Sequence, residues 1–185
     1  MDGLQHFRTL ANYNIRLNRQ VLAAAASLSH EQLLQDRGAF FKSILGTLNH
    51  ILLGDLLWLR RFYLHHGPDN KQFSHLTKLN DFPAIKSLDQ ILFSDFSEFK
   101  AARASVDSII RDWVNEQLTE EDLESGFTYT NMKGEASTKN FGEVLSHIFN
   151  HQTHHRGQVS SLLSQAGVDI GVTDYLMDIE LVTSI

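Results

Sequence analysis

The segment Phe41–His65 limits the possible folds most, because it is apolar on most of its circumference. As a helix, it could not turn Ile44, Leu45, Leu48, Ile51, Leu52, Leu56, Leu57, Leu59 and Phe62 towards one neighbour. Such a helix sits centrally among other helices, or it also forms a subunit interface. Its most apolar stretch, Ile44–Leu59, is interrupted by Asn49, His50 and Asp55, so no membrane span is expected. Three further stretches can cover it. Leu4, Phe7, Ala11, Leu17 and Val21 recur at helical spacing between Leu4 and Ala26. Leu88, Leu92, Phe96, Phe99, Val106, Ile110 and Trp113 mark another face, and Val144, Ile148, Val159, Leu162 and Ala166 a fourth within Glu143–Gly167. The expected class is therefore all-α: one domain over residues 1–185, a four-helix bundle with long crossover connections.

Local signals set the boundaries. Ser29 with Gln32 is a capping-box pattern for a short helix ending near Gly38, and Ser87 with Gln90 repeats it for the third long helix. Asn140 with Glu143 can cap the fourth, and Gly167 is its natural stop. His66–Lys86, with Pro68 and Pro83, reads as a linker whose histidines, with His65 before it, are exposed polar residues. Gly126–Thr130, the turn Asn131–Gly134 and Glu135–Thr138 form a short β-hairpin before the last long helix. Asn14, on the apolar face of the first helix, needs a buried partner. Arg103 is expected to snorkel to the surface, and the tail after Gly167 to dock.

Glu143–Gly167 also carries four histidines. On a helical wheel His151 and His155 lie one turn apart, within roughly 45° of the apolar centre, while His147 and His154 fall on the flank. A lone imidazole on an apolar face is usually a satisfied core residue. Two at i and i+4 are harder to bury neutral, since each needs a donor and an acceptor partner. A divalent metal satisfies both inward nitrogens together. The best third ligand is His50, mid-span in the other long apolar helix to carry a histidine, and Gly54 one turn on leaves space beside it. Ser146, Ser160 and Ser161 lack a nucleophile-elbow motif, and no H-E-x-x-H string occurs.

Charge and composition narrow the function. Lys plus Arg number 16 against 22 Asp plus Glu, a net −6, so nucleic acid is not an expected partner. The chain has no cysteine, so thiolate metal sites and disulfides are impossible. That absence fits a cytoplasmic location, and the N-terminus lacks a signal-peptide pattern. The apolar circumference of Phe41–His65 predicts a homodimer.

Leu48–Phe62 (LNHILLGDLLWLRRF) and Leu145–Gly167 (LSHIFNHQTHHRGQVSSLLSQAG) together resemble the DinB/YfiT group of metalloenzymes. The string N-H-x-x-x-H-R-G-Q is the more specific part, and helix order, the hairpin and the closing TDYL extend the likeness over nearly the whole chain. The resemblance implies a four-helix bundle holding a divalent metal, zinc or nickel, by three histidines that fall on His50, His151 and His155. It also implies a small-molecule partner, a low-molecular-weight thiol, and a thiol transferase-like activity. A metal-dependent hydrolase and a non-catalytic metal-binding stress-response protein are the alternatives. His147, His154, Asn49 and Gln158 are candidates for supporting or substrate-binding roles, or for plain surface positions.

Overall fold

A computed structural model describes residues 2–65, 71–131 and 133–181. Four long helices dominate: α1 (Gly3–Ala25), α3 (Ile44–His65), α4 (Phe96–Glu116) and α6 (Phe141–Gln165). Two short helices, α2 (His30–Leu34) and α5 (Glu120–Glu124), sit in the connections. Strands β1 (Gly126–Thr130) and β2 (Ala136–Asn140) pair antiparallel, with Phe127 opposite Lys139 and Tyr129 opposite Ser137. The described residues are mostly helical with one two-stranded sheet. α3 packs along α6 and α4, and α1 along α4 and α6. Nearly all the buried apolar side chains form one cluster running through all four.

Several termini follow from the capping residues. Ser29 and Gln32 make the reciprocal box that starts α2, and the Asn140 side chain accepts from the Glu143 amide at 2.9 Å to start α6. α6 ends just before Gly167, and the chain beyond it docks on α1. Arg16 pairs with Asp178, and Tyr13 meets Tyr175 edge-on at 5.2 Å.

Three expectations change. α4 begins at Phe96, capped by Asp95, not at Ser87. Gln90 does accept from the Ser87 amide at 3.1 Å, but no helix follows. Buried Asn49 of α3 competes for that backbone: its Oδ1 accepts from the amides of Leu92 and Phe93, and its Nδ2 donates to the Phe93 carbonyl. The segment is thereby strapped across α3 as irregular chain. The linker contains a 3-10 run, Lys71–Asp81, that buries Phe73, Leu76 and Leu79 against α3 and α4. Of the histidines there, His75 pairs with Glu116, His65 packs its ring 5.1 Å from Phe127, and His66 lies outside the described residues. Arg103 does not snorkel. It is 2% exposed, paired with Asp55 of α3 and, at 2.9 Å, with Asp107 one turn along α4.

Arg103 belongs to a polar network inside the core. Asn14 and Asn18 of α1 both donate to Asp107, at 3.2 and 2.8 Å, which gives Asn14 its partner. Gln152 of α6 donates to Asp55 at 2.7 Å, and Arg156 donates to Asn14. Two carboxylates and two guanidiniums balance, so the interior carries little net charge. Burial pushes the Asp55 and Asp107 carboxyls up against the pull of Arg103.

Candidate metal centre

His50, His151 and His155 converge. The Nε2 of His50 lies 3.0 Å from that of His151 and 3.2 Å from that of His155. His50 is 7% exposed and the other two are half-buried, so the cluster sits at the rim of the α3–α6 seam. The three could hold a metal ion, and no fourth His, Asp or Glu joins them among the described residues.

The neighbouring groups fix which nitrogens are free. The Nδ1 of His50 lies 2.9 Å from the Leu88 carbonyl, which only accepts, so this nitrogen carries the proton. The strap that Asn49 holds over α3 is what presents that carbonyl. In the same way the Nδ1 of His155 donates to Gln158 Oε1 at 2.8 Å, and Gln158 is steadied by His154 at 3.2 Å. The Nε2 atoms of His50 and His155 are then bare lone pairs facing each other. At most one proton, on His151, is left for three mutually directed nitrogens. A cation suits that donor set. Nitrogens held roughly 2.0–2.1 Å from one ion stand about 2.9–3.4 Å apart for angles between a right angle and the tetrahedral one, which brackets the observed spacings.

Packing around the rings is close. The Phe41 ring stacks on His50 at 3.7 Å and 17°. Gly46 permits this, because a Cβ there would lie 2.2 Å from the Phe41 carbonyl oxygen. Gly54 makes room in the same manner, since its missing Cβ would stand 2.8 Å from Cε1 of His151. The space that Gly54 leaves beside His50 is filled by the His151 ring. One residue along each helix, Gln152 and Asp55 hydrogen-bond, setting the rotation of α6 against α3. Burial, then the neighbouring imidazoles, pulls His151 down to about 3, and burial also lowers His50 and His155. All three are therefore neutral at pH 7, the form that binds metal.

The flank residues divide. Asn49 and Gln158 support ligand candidates, His154 supports Gln158, and exposed His147 packs its ring 5.5 Å from Trp58. The sequence does not indicate Phe41 or the Leu88 carbonyl. An unexplained glycine in the first turn of an apolar helix, Gly46, is the one signal for the former.

A family model described as the DinB family matches residues 3–183. Protein DinB of Bacillus subtilis (strain 168) is 28% identical over 168 residues, covering 90% of this chain and 89% of that protein. Uncharacterized protein YizA of the same organism is 28% identical over 150 residues, covering 80% of each. No solved structure matches. The histidine-bearing helices thus lie inside a match that spans almost the entire sequence, and the chain belongs to the DinB family.

Proposed function

We propose that the protein is a metalloenzyme of thiol chemistry, with zinc or nickel held by His50, His151 and His155 and a low-molecular-weight thiol as one substrate. The four long helices are read with this as a four-helix bundle whose α3–α6 seam carries the site. The carrying observation is the convergence of three Nε2 atoms, two of them with Nδ1 already committed as donor, at a half-exposed rim. A divalent ion there supplies Lewis acidity, lowering the pKa of a thiol or water that reaches it. The residues do the rest. Leu88 and Gln158 hold two imidazoles in the metal-ready tautomer, Phe41 shields one face of His50, and the rim position leaves an approach from solvent. Thiol transfer is preferred to hydrolysis on the family resemblance, and among the described residues no carboxylate joins the three imidazoles to assist a water. A thiol, far more acidic than water before it meets a metal, ionises there more readily.

Cobalt-loaded protein titrated with a simple thiol tests this. The expected result is a new sulfur-to-cobalt absorption band that His151→Ala abolishes. Cobalt binding without any response to thiol would leave metal binding intact and overturn the thiol reading.

A further inference from the structure

One to two helical turns from the three histidines along α3 and α6 lies a cavity of about 450 Å³, lined by Trp58, Tyr129, Lys139, Glu143, Val144 and His147. We propose that this cavity holds the body of the substrate, and that the body is flat and apolar, with a phenyl ring as its simplest form. The proposal rests on the metal reading of the neighbouring cluster and adds to it what the protein selects.

Three observations carry it. First, site and cavity lie in line along the same two helices. Steps of four residues lead from His50 through Gly54 to Trp58 on α3, and from His155 through His151 to His147 on α6. Ring contacts follow the same line: His155 to His151 at 4.4 Å, His151 to His147 at 6.1 Å, His147 to Trp58 at 5.5 Å, Trp58 to Tyr129 at 5.0 Å. A molecule with its reacting atom at the histidines needs to extend only one or two helical turns, roughly 5–11 Å, to lie in the cavity. Second, the walls are aromatic and already fixed. Trp58 and Tyr129 are half-buried and meet at 67°, and the Arg61 guanidinium lies 4.6 Å from one ring and 5.3 Å from the other. Arg61 is in turn tied to the Thr130 carbonyl at 3.0 Å. The volume lies in the range of small-molecule sites. Third, Lys139 and Glu143 are both exposed and opposite in sign, so these two lining groups offset each other, and the Arg61 guanidinium is already taken up by the Thr130 carbonyl and the two rings. The hairpin thereby gains a role, since β1 brings Tyr129 and β2 brings Lys139 to the rim.

The test uses two imidazole probes that ligate metal equally and differ in their tails, 1-methylimidazole and 1-(2-phenylethyl)imidazole. Both are titrated into cobalt-loaded protein and followed by visible absorption. The phenylethyl probe should bind roughly tenfold tighter or more, the scale of burying one phenyl ring. Trp58→Ala should remove that advantage and Trp58→Phe should keep most of it. Tryptophan fluorescence gives a readout without metal: the phenylethyl probe should quench half-buried Trp58, leaving fully buried Trp113 as the residual signal in Trp58→Phe. Equal cobalt affinities for the two probes overturn the proposal. Quenching of Trp58 without a cobalt response to either probe overturns the metal reading while leaving the cavity's ligand class standing.

Discussion

At the scale of single residues, each imidazole has a neighbour that makes it useful. His50, His151 and His155 are expected to hold about one ion per chain, and replacing any of them by Ala should reduce bound metal measured after dialysis. His147→Ala should retain it, because that ring lies 6.1 Å from His151 and outside the converging group. Full occupancy in His151→Ala or His155→Ala would remove the assignment. Gly54→Ala is a sharper probe. In a helix interior Ala is favoured over Gly by roughly 0.5–1 kcal/mol, but here the new methyl would lie 2.8 Å from His151. That ring is at the rim and can swing outwards. The metal-free melting point should therefore hold or rise while metal affinity drops at least roughly tenfold. Wild-type affinity in this variant would show that His151 need not sit where it does. The inward histidine pair was legible because spacing on one helix reports direction. The Leu88 carbonyl was not, because a backbone atom bears no mark in sequence.

At the scale of elements, the four long helices were legible from periodicity, and the caps of α2 and α6 from single side chains. The start of α4 was not. A capping box at Ser87 is a local preference, and it loses to three hydrogen bonds from Asn49, a residue whose partner segment lies more than forty positions away. The expectation that Arg103 snorkels failed for a similar reason: an arginine on an apolar face has two outcomes, and the deciding carboxylate, Asp55, comes from another helix. Its i,i+4 neighbour Asp107 was a clue in plain view. Arg103 is held above the usual arginine range because, although burial opposes it, two carboxylates flank it. Arg103→Leu would strand both carboxylates in the core, and is expected to cost about 3–5 kcal/mol in urea denaturation. A cost below about 1 kcal/mol, the scale of a surface pair, would mean the network is not buried in solution.

At the scale of the whole molecule, α3 is wrapped by α6, α4, α2, β1 and the 3-10 run, so its apolar circumference is largely covered within the chain. The proposed homodimer keeps a narrower support, exposed Leu64 at the end of α3. Light scattering should still give about twice 21.0 kDa, and a mass near 21.0 kDa removes the dimer. None of the helices is long and apolar enough, within the described residues, to cross a membrane. The continuous core also separates metal binding from folding. A domain held together by four long helices does not need an ion to fold, so chelator-treated protein should stay folded at pH 8. The pH dependence has a definite sign. Unfolded histidines titrate near pH 6.5, whereas His50 and His155 are lowered in the fold and His151 falls to about 3. Between those limits the unfolded chain binds more protons, so this contribution is present above about pH 6.5 and is lost as pH falls towards about 3. Metal adds stability set by its free concentration relative to its dissociation constant, and protons compete for the same nitrogens. The metal-minus-chelator difference in melting temperature should thus be positive at pH 8, shrink as acid titrates His50 and His155 below the ordinary histidine range, and vanish as pH falls towards about 3. If chelator unfolds the chain at pH 8, the ion is a structural staple, and an open position for substrate loses its physical basis.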